Sequence, residues 1–195
     1  AAHPGFLLLT AGFFVCGFHL AFVAVHLPAY LSDQGMPAWL PAAALTLVGL
    51  CNIVGTVICG WLGDRHRKSG VLSLLYLARA VIFLLFLLVP VSEASVLAFA
   101  AAMGFLWLGT VPLTSGVVAA IFGPAYLSML FGIVFLSHQV GGFLGAWIAG
   151  TLYDALGNYD VMWWASVALG LLSAALHWPI DERPLARPAA AVPAI

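Results

Sequence analysis

Charge is what this sequence has least of. Its 195 residues include seven acidic and six basic side chains, so that 7% of the chain is charged while 64% is hydrophobic. A soluble domain carries about a quarter charged residues, and so few charges could not cover this much apolar surface in water. The lack of a basic stripe also excludes a nucleic-acid partner. Lipid is the solvent that fits this composition, and we expect an integral membrane protein.

Cysteine is scarce as well, and its placement excludes the usual metal and redox motifs. Cys16, Cys51 and Cys59 all lie inside apolar runs and form no CxxC pair. We interpret them as small hydrophobic residues in helix walls, and we predict no metal, no cofactor and no catalytic residue. The chain begins at Ala1 without a methionine. Its first apolar run is too long for a signal peptide and lacks a preceding basic region, so we expect a piece of a longer protein.

Six apolar stretches are long enough to cross a bilayer, which takes about 20 helical residues. Clusters of glycine, proline, asparagine, aspartate and serine separate them. The predicted spans are residues 6–31, 38–62, 71–89, 95–122, 126–153 and 161–179. The pattern predicts an all-α membrane domain over residues 1–180. Residues 181–195 are rich in proline and alanine without periodicity, which predicts a disordered cytoplasmic tail.

The basic residues outside the spans fall on one side of this topology. With an even number of spans, the loop after the second span and the C-terminal tail share that side. The loops on the opposite side carry four acidic residues and no lysine or arginine. The positive-inside rule therefore predicts that the basic loop and both termini are cytoplasmic. The residues concerned are Arg65, Arg67 and Lys68 in the loop, with Arg183 and Arg187 in the tail.

The basic loop carries the most specific local pattern, which reads GWLGDRHRK over residues 60–68. Its glycines permit close packing and a turn, its aspartate can accept hydrogen bonds from a helix N-terminus, and its basic cluster suits an anionic leaflet. The run resembles the signature loop of the major facilitator superfamily, Gly-x-Leu-Ala/Gly-Asp-Arg-x-Gly-Arg-Lys/Arg, but is one residue shorter and lacks the glycine expected between Arg65 and Lys68. A plain positive-inside loop is the alternative interpretation. The predicted signature-loop residues are Gly60, Gly63, Asp64, Arg65, Arg67 and Lys68.

The resemblance extends over most of the chain. Residues 26–35 (HLPAYLSDQG) and 141–160 look like the corresponding segments of bacterial carriers related to monocarboxylate transporters. In this superfamily a six-helix half consists of two inverted three-helix repeats, and two halves enclose a site at the bilayer midplane. The family's stronger signature loop lies in the N-terminal half. The degraded copy here therefore implies the C-terminal half, with an N-terminal six-helix half missing.

Arg79 is the most unusual residue inside a predicted span. It lies about nine residues into the third span, which is roughly 14 Å from the cytoplasmic end at about 1.5 Å per residue. A charge near the bilayer centre marks a functional site by default, and no acidic residue within a predicted span can neutralise it. Its partner is a substrate carboxylate, an acid of the missing half, or backbone carbonyls and water. The resemblance, in which the third helix is peripheral, favours a structural role over substrate binding.

Other polar residues lie within the spans at helical spacing. His19, His26 and Tyr30 share one face of the first span, which lines the central cavity in the family. They are candidates for anion binding or proton relay, or for interhelical hydrogen bonds. Gly109 and Pro112 predict bending of the fourth span, and the GxxxG pair in the fifth predicts close helix packing. The predicted substrate-binding residues are His19, Asn52, Arg79, Thr110, His138 and Gln139.

The leading functional hypothesis is secondary transport of a small organic anion, such as a monocarboxylate, by alternating access. The expected setting is the bacterial inner (plasma) membrane, with H⁺ as a candidate coupling ion carried by His19 or His138. One alternative is a half-size membrane protein that needs a partner half or homodimerises. An intramembrane serine hydrolase using Ser115 and His177 is disfavoured, because Leu113 replaces the glycine of the usual Gly-x-Ser-Gly. We expect no enzymatic activity.

Overall fold

The computed structural model of the protein describes residues 3–185, and these form an all-α bundle as predicted. Six helical segments are long and apolar enough to cross a membrane, with mean hydropathy between 1.2 and 2.5, and the fourth is broken into two helices. A single 3-10 turn, Pro124–Tyr126, precedes the fifth span. The helices are α1 Pro4–Asp33, α2 Leu40–Arg65, α3 Lys68–Leu88, α4 Glu93–Phe105, α5 Thr110–Phe122, α6 Leu127–Leu156 and α7 Asp160–His177.

Local chemistry accounts for several helix ends. Ser92 caps α4: its hydroxyl accepts from the Ser95 amide, and its own amide donates to the Ser95 hydroxyl. Gly157 ends α6 in the left-handed region at φ +71°, which a glycine adopts without a steric penalty. The turn between α2 and α3 consists of His66 and Arg67 alone. It is shorter than the loop expected from the sequence, because the glycines at its ends continue the helices.

The break in the fourth span follows from Pro112. Proline has no amide hydrogen, and its ring excludes a helical carbonyl four residues earlier, which here is that of Leu108. The Leu108 carbonyl instead accepts from the amide of Val111 at 2.9 Å. As a result α4 ends at Phe105 and α5 begins at Thr110. The bending predicted from Gly109 and Pro112 is realised as a complete interruption of the helix.

The helices pair in a pattern that is equivalent for the two halves of the bundle. α1 packs along α6, α2 packs along α4, and α3 packs along α7. If the spans are grouped as α1–α2–α3 and α4/α5–α6–α7, the first helix of each group packs on the second helix of the other, and the two third helices pack together. Since each group has three spans, the second enters the membrane from the opposite side. This is the arrangement of two inverted three-helix repeats expected from the resemblance.

Glycines make both of the equivalent pairings close. A Cβ atom added at Gly17 or Gly141 would overlap the backbone of the facing helix in the α1–α6 pair. Gly55 and Gly104 make the same kind of contact in the α2–α4 pair. Small residues allow helix backbones to approach closely where lipid supplies no hydrophobic drive for association. The GxxxG pair noted in the sequence therefore lies at one of two related interfaces.

The second and fifth spans are the least buried in the bundle, whereas α1 is the most buried. The outward faces of α2 and α6 are apolar along much of their length. These two faces, called here the open faces, have no helix of the described chain against them. Their exposed residues include Leu50, Ile53, Val57 and Trp61 on α2, and Met129, Leu136, Phe143 and Trp147 on α6.

The segment after α7 lies along one end of the bundle. The Glu182 carboxylate accepts from the Ser69 amide at 2.6 Å, and the Leu185 amide donates to the Ile121 carbonyl at 2.9 Å. Arg67 donates to the carbonyls of Ile180, at 2.9 Å, and Trp178. Residues 181–185 thus contact the start of α3 and the end of α5. The rest of the predicted disordered tail, residues 186–195, lies outside the described residues.

Candidate functional site at the break in the fourth span

The break at residues 106–109 brings together three of the polar residues that the sequence singled out. Asn52 reaches it from α2, Arg79 from α3, and Thr110 begins the helix that follows it. His138 lies further from the break on α6, where its ring packs on Phe13 of α1 at 5.1 Å between ring centres. Asn52, Arg79 and Thr110, three of the six predicted substrate-binding residues, therefore lie around one interruption of the backbone.

Arg79 is fully buried, and its Nη2 atom donates to the carbonyls of Leu106 and Trp107, both at 2.6 Å. Its guanidinium carbon lies 5.3 Å from the centre of the Tyr76 ring. Nε and Nη1 have no hydrogen-bond partner among the described residues. Of the partners considered from the sequence, backbone carbonyls are the ones that the structure contains. Because the helix is interrupted here, these carbonyls accept from Arg79 instead of from backbone amides four residues later.

Asn52 bonds the backbone at the other side of the break, where Leu108 presents an amide. Its Oδ1 atom accepts from the Leu108 amide at 2.9 Å and from the Thr56 hydroxyl at 3.1 Å. An open cleft of about 400 Å³ lies beside it, between α2 and the start of α5. Asn52, Thr56, Leu108, Val111 and Pro112 are among the residues that line this cleft. Asn52 is therefore shared between the break and a cleft that opens on the α2 face.

A second set of contacts leads from the break toward α6. The Thr110 hydroxyl lies 3.2 Å from the sulfur of Cys16 in α1. The His138 ring packs on Phe13, also in α1, at 5.1 Å between ring centres. His138 Nδ1 is 3.1 Å from Oε1 of Gln139, and its ring stacks on Phe135 at 5.2 Å between centres. Gln139 is exposed. The contacts thus run from the buried break through α1 to the open face of α6.

His19 lies apart from this group. It is fully buried, Nε2 donates to the Ser166 carbonyl at 2.9 Å, and its ring packs on Phe83 at 4.8 Å. His26 lies two turns further along the same face of α1, and its Nε2 donates to the Ala146 carbonyl at 2.9 Å. Its Nδ1 then accepts from the Tyr159 hydroxyl at 3.2 Å. The polar face of α1 is therefore engaged in hydrogen bonds to α6, α7 and the turn between them.

The predicted signature loop forms the end of α2 and the start of α3. A Cβ at Gly63 would overlap the Leu113 side chain of α5, whereas a Cβ at Gly60 meets nothing. Arg65 lies over the Trp61 ring at 4.1 Å, and Asp64 is exposed. The aliphatic stem of Lys68 lies close to Gly116 in α5. In this structure the loop contacts α5 through Gly63 and Lys68, and contacts the C-terminal segment through Arg67.

Two participants at the break were not predictable from the residue pattern. The carbonyls of Leu106 and Trp107 have no side-chain signature, and only a proline a few residues later points to them. Cys16, interpreted as a hydrophobic wall residue, is in fact in contact with Thr110. Ser115 and His177 do not form a catalytic pair, because Ser115 donates to the Pro112 carbonyl at 3.1 Å and His177 to the Ser173 carbonyl at 2.8 Å.

A family model described as Major Facilitator Superfamily matches residues 7–194, which is nearly the whole chain. This chain belongs to the major facilitator superfamily. Membership agrees with the six-span fold, with the signature-loop resemblance and with the prediction that the chain is not an enzyme. Together with the six apolar spans, it identifies an integral membrane protein.

Individual relatives come from bacteria and vertebrates. The chain is 28% identical over 158 residues to the "Uncharacterized MFS-type transporter YcxA" of Bacillus subtilis (strain 168), covering 78% of the chain and 38% of that protein. It is 32% identical over 154 residues to monocarboxylate transporter 13 of Rattus norvegicus, covering 78% of the chain and 34% of the transporter. It is 28% identical over 162 residues to monocarboxylate transporter 12 of Homo sapiens, covering 78% of the chain and 31% of that transporter. The chain thus spans about a third of the length of these relatives.

Proposed function

We propose that this chain is a six-helix half of a secondary transporter that moves a small solute by alternating access. The observation that carries the proposal is the placement of the polar break beside the open face of α2, with the polar contacts of His138 and Gln139 at the open face of α6. A second six-helix unit covering both open faces would enclose these polar groups at a shared interface. That is the arrangement in which family members hold their substrate.

We infer that the solute is a small organic anion, and a monocarboxylate first of all. Two of the relatives are named monocarboxylate transporters. The break also supports this class, because the Arg79 charge has no acidic partner among the described residues and lies in a low-dielectric interior, where its potential is weakly screened. Asn52 and Thr56 supply an amide and a hydroxyl group in the apolar cleft, and Gln139 supplies an amide on α6, where such polar groups orient a ligand.

The six residues proposed to bind substrate differ in how a solute would reach them. Asn52, His138 and Gln139 are partly or fully exposed on or near the open faces, so they are the proposed first contacts. His19, Arg79 and Thr110 are fully buried, and a solute would touch them only after a helix moves. We therefore propose that these three act later in the cycle or through the residues around them.

The remaining elements of the proposal concern the setting. The degraded signature loop supports a C-terminal half, and an N-terminal six-helix half is its proposed partner. The clustering of basic residues supports cytoplasmic termini in a bacterial inner (plasma) membrane. Protons are the proposed coupling ion, with His138 as the accessible candidate, because the described spans contain no carboxylate buried at mid-membrane.

The test of the substrate class uses the full-length gene product that contains this chain, reconstituted in liposomes. Uptake of ¹⁴C-lactate is measured with and without an inward proton gradient, and pyruvate, succinate and glucose are added as competitors. The proposal predicts saturable uptake that pyruvate inhibits and glucose does not, with stimulation by the gradient. Absence of saturable lactate uptake, or inhibition by glucose and not by pyruvate, would rule out the monocarboxylate, and gradient-independent uptake would rule out proton coupling.

A further inference from the structure

The two ends of the break are held by side chains from two other spans. We propose that Arg79 and Asn52 are positioning residues that keep the fourth span divided at residues 106–109, so that α5 pivots against α4 at this point. This goes beyond the proposed function, since it assigns to the pair a mechanical role within the bundle. It can be measured without knowledge of the substrate.

Backbone hydrogen bonds supply the first argument. In an uninterrupted helix, the carbonyls of Leu106 and Trp107 would accept from the amides of Thr110 and Val111. Here the Val111 amide is already used by Leu108, and Arg79 takes both carbonyls. In the interior of a bilayer no water is at hand to replace such bonds, so an interrupted helix persists only where protein groups satisfy the freed atoms. Arg79 supplies those groups at the end of α4.

The backbone amide that the break frees supplies the second argument. The Leu108 amide lies within the break and donates to Asn52 Oδ1 rather than to a carbonyl of its own helix. The same Oδ1 atom also accepts from Thr56, which fixes the orientation of the side-chain amide. Side chains of other spans therefore supply both kinds of hydrogen-bond partner at the break. Arg79 donates to two of its carbonyls, and Asn52 accepts from its Leu108 amide.

The surroundings of α4 and α5 supply the third argument. α4 packs chiefly along α2, whereas α5 divides its contacts among α2, α3 and α6. The two segments can therefore follow different neighbours when the bundle rearranges. Pro112 prevents them from rejoining as one regular helix. A division that is built into the sequence and braced from two spans has the properties of a hinge.

Arg79 and Asn52 are also among the proposed substrate-binding residues, and the kinetics separate that role from the positioning role. If Arg79 and Asn52 position the break, conservative variants that retain the hydrogen bonds keep uptake, and disruptive ones lower the maximal rate with little change in KM. If they bind the solute, KM rises. This comparison rests on the proposed function. The exchange experiment below does not, so failure of one can be told from failure of the other.

The test is hydrogen–deuterium exchange of the purified chain in lipid nanodiscs, followed by mass spectrometry of peptides that cover residues 104–112. Asn52→Leu removes the acceptor for the Leu108 amide and is expected to speed its exchange roughly tenfold or more, since a buried backbone donor is left unpaired. Asn52→Asp retains an oxygen acceptor and is expected to exchange like the parent chain. Thr46→Val is the matched control, because Thr46 donates only to Ala42 within the same helix.

Arg79 is tested with Arg79→Met and Arg79→Lys. Arg79→Met removes all donors to the Leu106 and Trp107 carbonyls and is expected to speed exchange across the break. Arg79→Lys retains a donor, so we expect a smaller increase in the exchange rate. If Arg79→Met fails to fold, the Pro112→Ala variant tests the proposal in its place. Restoring the amide at position 112 should slow exchange at residues 108–111 and make Asn52→Leu less disruptive than in the parent chain. Unchanged exchange in Asn52→Leu, or equal effects of Asn52→Leu with and without Pro112, would overturn the proposal.

Discussion

The backbone of Gly17 in α1 lies directly against the carbonyl of His138 in α6, with no room for a Cβ atom between them. This contact fixes how closely the first and fifth spans approach, and it lies beside the polar residues that lead from the break to the open face of α6. The same helix pair is joined by Ser137, whose hydroxyl donates to the Thr10 carbonyl at 2.7 Å. The geometry of the α6 face therefore depends on a backbone-to-backbone contact.

Adding a methyl group at this interface should destabilise the bundle. We expect Gly141→Ala to lower stability by about 1–3 kcal/mol, because the new Cβ would overlap the Phe14 carbonyl and force the helices apart. Gly132→Ala is the control in the same helix, since a Cβ there meets nothing. It should be neutral or stabilising by up to about 1 kcal/mol through higher helix propensity. Thermal unfolding in detergent, monitored by circular dichroism, measures both, and equal midpoints for the two variants would contradict the contact.

The second glycine interface should respond in the same way if the two repeats are equivalent. Gly104 in α4 faces the backbone of Val48 in α2, and Gly49 in α2 faces open space. We expect Gly104→Ala to destabilise by about 1–3 kcal/mol, and Gly49→Ala to leave the unfolding midpoint near that of the parent chain. A tolerant Gly104→Ala variant would show that the α2–α4 pair is looser than the α1–α6 pair.

The C-terminal segment should be released by loss of a single carboxylate. Glu182 accepts from the Ser69 amide in the first turn of α3, where a negative charge also meets the positive end of the helix dipole. Glu182→Ala should therefore lower stability by about 1 kcal/mol and speed proteolysis after residue 178. Arg183→Ala is the matched control, because Arg183 lies in an exposed pair with Asp181. Equal proteolysis rates in the two variants would mean that Glu182 does not hold the segment.

The two arginines of the signature loop should differ in their effects. Arg67 donates to two carbonyls of the C-terminal segment and to the Ser69 hydroxyl, whereas Arg65 lies over one exposed tryptophan ring. We expect Arg67→Ala to cost about 1–3 kcal/mol through unpaired carbonyls, and Arg65→Ala less than about 1 kcal/mol. Chemical unfolding of the two variants in mixed micelles makes the comparison. A larger effect of Arg65→Ala would contradict the assigned contacts.

The sequence predicted the spans well because bilayer thickness sets their length and lipid sets their composition, so each span is encoded locally. The pairing of helices, by contrast, is not encoded within a single segment of the sequence. Gly17 and Gly141 lie far apart in the chain, and nothing in either local segment shows that their backbones meet. The sequence predicts bending from Gly109 and Pro112, and it offers backbone carbonyls as one of the possible partners of Arg79. It does not show that these carbonyls are the ones at the break, because backbone carbonyls leave no trace in a residue pattern.

The open faces of α2 and α6 lead to the central claim, which is that this six-helix unit transports only when a second unit covers them. The most direct measurement is ¹⁴C-lactate uptake into liposomes that contain either this chain alone or the full-length gene product, at matched protein content. The account predicts proton-stimulated uptake by the full-length protein and none above empty liposomes by the chain alone. Saturable uptake by the chain alone would contradict it and would instead favour a self-associating half.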